Sequence, residues 1–380
     1  MRAIVLTGML WLAQPAAAEA VQAGVGAGVE SGDPVFFTST IAPPPPPPAV
    51  ASWNEAFSAA MSARAAELAA TGTAEGFLAA ALIDLPSDFH ATHPGDAPAP
   101  GWMQAAIEAR PTTPLVQWMA ANGCPLMLSQ VVECDRERAL ERLLELDGDN
   151  AAVHLMAASF ASTAGDEVAA RTHLARAAAL PRHDNYGSDL LRIIVDARRG
   201  ASLPRMPDEV VAYHQASDAV VASAEDVSAV YSISQWAAQV LPTFTGAMNL
   251  CRRDEASLAR DSGLRQDCLG ALAHLAGSDA TIIEPLVALR TLVRYSQGAG
   301  KTRWKARLRQ VAWLHEQALR LAPDWPGANI ESSEYVDWLI EEGELGAFRH
   351  LLREHGIPVE PPPGWLPDNP DHRALLSGDA

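Results

Sequence analysis

The stretch 298–302 reads Gly-Ala-Gly-Lys-Thr, the residue types that close a phosphate-binding loop. That loop curls its backbone around a phosphate and needs a first glycine five residues before Gly300. Tyr295 stands there, and an amphipathic helical pattern over 282–294 precedes it instead of a buried strand. The stretch therefore reads as a turn between helices. His315-Glu316 opens like a zinc-protease helix, but the second imidazole would fall at Leu319, so two ligands cannot share one helical face. Gly24, Gly26 and Gly28 lie in a segment without periodicity and bind no dinucleotide. No G-x-S-x-G and no C-x-x-C occurs in the chain. His90 and His93, with Asp88 and Asp96, have the donor types for Zn²⁺, but they fall in a Pro-rich loop where nothing orients them. His350 and His355 flank a helix end, where imidazoles commonly cap carbonyls. No residue is assigned as catalytic, cofactor-binding or metal-binding, and no cofactor is expected.

Lys301, Arg303, Lys305, Arg307 and Arg309 form the one dense basic cluster. Trp304, Leu308, Val311 and His315 share one face of the same helical stretch, which leaves the cations on the other faces. A solvated face, a dock for an acidic partner segment, and pairing with the chain's own acids are all compatible with it. The four cysteines, Cys124, Cys134, Cys251 and Cys268, form two local pairs in chain order. In an oxidising compartment an even count reads as disulfides. The expected bonds are Cys124–Cys134 and Cys251–Cys268.

Composition bounds the rest. Hydrophobic residues make up 48% of the 380-residue chain, enough for a real core, and aromatics only 6%. Ala is abundant, and Ala with Leu, Arg and Glu is a helix-forming set. The net charge of −18 repels phosphate backbones and anionic membranes, so nucleic acid is excluded as a bulk-electrostatic partner. At the N-terminus, Arg2 precedes an apolar run over 3–12, then Pro15 and Ala16-Ala17-Ala18. That order fits a signal peptide cleaved after Ala18. The run is shorter than the roughly 20 apolar residues a membrane span takes, and no later stretch reaches that length. A periplasmic or secreted chain is expected, with no membrane span after cleavage.

Residues 19–51 read as a disordered Gly/Pro-rich linker, with the prolines 43–48 forming a short polyproline rod that serves as a spacer. Helical periodicity begins at Trp53 and recurs through 52–200 and 201–356, with 200–207 as the connector between two helical repeat regions. Helices are expected over 184–199, 208–222, 226–240, 243–251, 256–276, 279–297 and 302–321. The prolines of 357–380 indicate an irregular tail that cannot be helical through them.

The stretch 136–181 carries the strongest pattern. Ala157, Phe160, Gly165, Ala170, Leu174 and Ala177 fill the small, aromatic, turn and packing positions of a helical hairpin, with Asp147-Gly148-Asp149-Asn150 as the turn before it. This resembles a tetratricopeptide repeat (TPR), with one extra residue between Phe160 and Gly165 and Pro181 one place early. Ala318, Leu321 and Pro323 echo the end of such a repeat. Tyr335, Leu339, Gly343, Phe348 and Leu352 outline another hairpin turned at Gly343. The resemblance implies an all-α, right-handed α-solenoid of helical hairpins. Such an array offers a concave surface to proteins or peptides, so a non-enzymatic envelope scaffold is expected. The alternative is an envelope hydrolase, such as a cell-wall-acting enzyme, that uses the array as a body.

Overall fold

The computed structural model describes residues 46–84, 101–123, 134–216, 221–239, 244–252, 260–321 and 332–378. Among them are sixteen helices and no strand; the single β-bridge joins Asn150 to Arg182. None of these helices is long and apolar enough to cross a membrane. The helices are α1 (Pro48–Ala69), α2 (Ala74–Ile83), α3 (Trp102–Glu108), α4 (Pro114–Ala121), α5 (Arg136–Asp147) and α6 (Ala151–Thr163). Then follow α7 (Glu167–Ala179), α8 (Gly187–Arg199), α9 (Asp208–Gln215), α10 (Ala224–Gln239) and α11 (Thr245–Cys251). The last five are α12 (Ser262–Gly277), α13 (Ile283–Tyr295), α14 (Gly298–Leu321), α15 (Ser332–Glu354) and α16 (Pro370–Ser377).

Local chemistry sets most of the boundaries. Side chains of Thr73, Asp135, Asn150, Asp166, Asp261 and Asn369 accept hydrogen bonds from the first free N–H groups of α2, α5, α6, α7, α12 and α16. Each such cap is worth about 1 kcal/mol. Asn122 and Gly123 end α4, and Gly165, at φ 80°, turns α6 into α7 as the repeat-like pattern requires.

Two of the boundaries that differ from expectation are set by proline. α1 starts at Pro48, inside the expected linker, because proline is well suited to a helix's first turn, where its missing N–H has no partner to lose. Pro47 still carries polyproline-like angles, φ −52° and ψ 148°. The tail is not irregular throughout. Pro370 likewise opens α16, and Leu375 is buried against the main core.

Two large apolar clusters form the core. One gathers α7, α11, α12, α13, α14 and α16; the other gathers α2, α3, α4, α5, α8 and α10. α6 belongs to both. It sends Ala151, Leu155 and Ala158 to the first and Ala152, Val153, Met156 and Ala157 to the second. A helix walled on both sides must be apolar nearly all round, and from 151 to 158 only His154 is not buried. α15 plays the same part with Leu345, Phe348 and Leu352 on one side and Tyr335, Val336 and Leu339 on the other. Helices on either side of the 200–207 connector pack on each other, α8 on α10 and α15, and α7 on α12.

Cys251, at the end of α11, and Cys268, within α12, are bonded, with Cα atoms 5.5 Å apart. Cys134, ahead of α5, is also disulfide-bonded, and its expected partner Cys124 lies outside the described residues. Cys251 and Cys268 are 17 residues apart, and closing such a loop stabilises a fold by about 3 kcal/mol on the chain-entropy account. The variant carrying Cys251→Ser and Cys268→Ser is expected to lose that amount in urea unfolding. Non-reducing peptide mapping should return a Cys251–Cys268 peptide. A Cys124–Cys251 or Cys134–Cys268 peptide would refute the local pairing.

Candidate functional site

The densest polar chemistry sits where the loop 181–186 meets the turn 147–150. Asn150, fully buried, donates through Nδ2 to Asp147 at 2.9 Å and to the Asp184 carbonyl at 2.8 Å. Its Oδ1 accepts from the backbone N–H of Ala152 and of Asp184. Arg182 pairs with Asp147 and, at 2.8 Å, with Asp149, which holds the Asp149 carboxyl below its ordinary range. Tyr186 donates its hydroxyl to Asp147, and burial raises its pKa. This network holds Tyr186 in a left-handed conformation, φ 56°, that a bulky residue adopts only when its surroundings over-determine it. Residues 182–186 are therefore not helical, and the helix expected from 184 begins at Gly187.

Behind this loop lies a buried acid–base couple. His183 Nε2 is 3.8 Å from Glu284 Oε1, with side chains 8% and 6% exposed. Asn185 Nδ2 donates to the same Glu284 oxygen at 3.0 Å, and His274 stacks on His183 with ring centroids 6.1 Å apart. An imidazole beside a carboxylate held by an amide has the elements of general acid–base catalysis. Here the couple ties the 181–186 loop to α12 and α13 and has almost no contact with solvent. Sequence reading missed this cluster. Its only signal was the uninterrupted run Arg182-His183-Asp184-Asn185-Tyr186 after Pro181.

The basic stretch lies on α14, which begins at Gly298 rather than at 302. Gly-Ala-Gly-Lys-Thr is thus the first turn of a helix, and Ser296-Gln297 make the turn before it. Arg307 donates to the Ala276 and Ser278 carbonyls at the end of α12 and to Asp279 at 2.6 Å. Cations are favoured at that end of a helix. Lys305 donates to the Leu376 carbonyl at 3.1 Å, and Arg309 to those of Trp365, at 3.0 Å, and Pro362. Trp313 Nε1 donates to the Pro358 carbonyl at 2.8 Å, and its ring meets Trp365 edge-on at 5.1 Å. Gln310 donates to Glu360, and Glu316 accepts the Asp368 N–H. The Pro-rich segment 358–368, which turns between Pro362 and Trp365 with Gly364 at φ 76°, lies along α14, held by the Pro358, Pro362 and Trp365 carbonyls, the Glu360 side chain and the Asp368 N–H. Proline has no N–H to offer, so a surface of donors suits it.

The remaining expected residues fall as follows. His90 and His93, with Asp88 and Asp96, lie outside the described residues. His315 faces the α16 region, where burial brings both it and His372 down to about 4. His355 bonds the Leu351 carbonyl at the end of α15, and His350 bridges to Glu342 at 2.8 Å while stacking on Trp338. In the last turn of α8, Arg198 is buried against Gln235 Oε1 and the Met61 sulfur, and desolvation lowers it to about 10. Comparison with protein-family models, with curated proteins and with solved structures finds no match to this chain.

Proposed function

We propose that the chain is an exported, non-enzymatic interaction scaffold of the periplasm or cell envelope, built as a right-handed α-solenoid of TPR-like hairpins, and that its partners are proteins or peptides. The single observation that carries this reading is the α14 flank, where Trp313, Arg309 and Gln310 hold a proline-rich, non-helical segment of the chain itself. A helical array that binds one non-helical segment along a flank has the surface chemistry to bind others. The row of packed neighbours α6, α7, α12, α13 and α14 supports the hairpin array, with α6 and α7 in the positions of the repeat-like pattern. The Cys251–Cys268 bond is compatible with an oxidising compartment. The polar residues of 182–186, which come nearest to catalytic equipment, are engaged in joining helices.

Crosslinking in the envelope fraction followed by affinity recovery is expected to return a defined set of partner proteins. N-terminal sequencing of the exported chain is expected to begin at Glu19. Release of cell-wall fragments by the purified protein would overturn the reading in favour of the hydrolase alternative, and a mature chain retaining Met1 would overturn the export claim.

A further inference from the structure

The α6–α7 hairpin carries two histidines across its interface. His154 projects from α6 and His173 from α7, both half-buried. Their Nδ1 atoms stand 3.1 Å apart. The other nitrogen of His154, Nε2, lies 3.0 Å from the Gly148 carbonyl oxygen. A carbonyl only accepts, so Nε2 carries the proton and the lone pair of a neutral His154 is on Nδ1, facing His173. An imidazole anchored by its far N–H to a backbone carbonyl, with its free nitrogen turned toward a second imidazole, is the arrangement in which metal-ligating histidines are held.

We infer that His154 and His173 form a two-imidazole site for a borderline divalent transition ion, Cu²⁺, Ni²⁺ or Zn²⁺. With metal–nitrogen distances of about 2.05 Å, a 3.1 Å separation gives an N–metal–N angle of about 98°. That lies between the right angle of square-planar or octahedral cis ligands and the tetrahedral angle. In the metal-free pair the bridging proton sits on His173 Nδ1; on metal binding His173 takes the other tautomer, protonated on Nε2, which frees its Nδ1 lone pair for the ion. Burial holds both imidazoles below their ordinary pKa, which keeps them neutral and ligand-competent near pH 7. Among the described residues no group of three His, Cys, Asp or Glu converges as a metal site, so water or a partner's side chain completes the coordination. Arg176, one turn beyond His173 on α7, opposes the ion's charge and keeps affinity modest. This ion would bridge α6 and α7, on residues other than those of the buried His183–Glu284 couple.

The test uses the full chain, stripped with chelator and titrated separately with Cu²⁺, Ni²⁺ and Zn²⁺ by calorimetry. For Cu²⁺, electron paramagnetic resonance counts the bound nitrogens. One ion per chain is expected at this site, with two imidazole nitrogens on Cu²⁺. His154→Gln and His173→Gln should each weaken it at least tenfold and reduce the count to one nitrogen. His173→Gln leaves the His154–Gly148 bond in place, so circular dichroism of that variant should match the parent. The variant with His90→Gln and His93→Gln is expected to keep the site intact. Binding that survives both hairpin substitutions, binding lost with the His90 and His93 substitutions, or no binding by the parent chain would each overturn the inference and leave a His–His hydrogen bond alone.

Discussion

Replacing Gly343 with alanine is expected to destabilise the fold by roughly 3–5 kcal/mol, the largest effect of any single substitution considered. Gly343 breaks α15 into two helical halves at φ 72° and ψ −177°, a region open to glycine and almost nothing else. Space is closed as well. A Cβ there would overlap the Asp279 carbonyl oxygen and come within 2.8 Å of that residue's carbonyl carbon and 2.9 Å of the Ala280 Cα. The backbone is fixed from both sides, since Glu344 and Leu345 donate their N–H groups to the Ala280 and Asp279 carbonyls at 3.2 and 3.1 Å. Arg307 and Arg349 then clamp the Asp279 carboxylate and hold it below its ordinary pKa. Gly356→Ala is the control. Its φ of 65° is similar, but nothing lies within 4 Å of the new Cβ, so it should cost only about 1–2 kcal/mol. Urea unfolding followed by circular dichroism compares the two. Equal losses would mean that the turn 278–282 is not packed against the kink.

Glu344→Gln is expected to stabilise the chain by about 3 kcal/mol at pH 8 and to change little at pH 4.5. Glu344 is 8% exposed, and desolvation raises it to about 7 although it accepts the Ile282 N–H at 2.7 Å. Tyr335, buried close by, is pushed up by its own desolvation and further by the same carboxylate. A raised carboxyl binds its proton more tightly in the folded chain than in the unfolded one. Its contribution is therefore complete below the unfolded value near 4.5 and is lost as pH rises through about 7. Glutamine keeps an acceptor for Ile282 and never ionises, so the variant escapes that loss. Taking the difference between variant and parent cancels the other titrations, including His315 and His372, which lose stability toward acid. Denaturation midpoints from pH 4.5 to 9 test this, and a pH-independent difference would count against a buried, titrating Glu344.

The all-helical class, the α6–α7 hairpin with Gly165 at its turn, the stop at Asn122-Gly123 and the break at Gly343 were legible in the sequence. Each is set by local rules: the spacing of apolar residues over one helical turn, or a backbone conformation only one residue type favours. The start of α16 was missed at the same local level, because the prolines of the tail were weighed as breakers and Pro370 stands where a helix tolerates one. The Cys251–Cys268 pairing rested on chain order, and in the structure ten residues separate the end of α11 from the start of α12.

What the sequence could not determine is where these helices meet. The basic run on α14 had three readings open, and the choice depended on partners up to 71 residues away: the carbonyls of 276–278 and of the tail, with Asp279. The polar run 182–186 looked like the start of a helix, because Asn150, Asp147 and Glu284, which fix it as a loop, lie 34 to 99 residues distant. The His154–His173 pair is invisible to helical spacing, since its members sit on different helices. Periodicity reports which face of an element is apolar and is silent about which other element covers it. Charged and polar side chains take their roles from that second fact, so tertiary packing alone decided them.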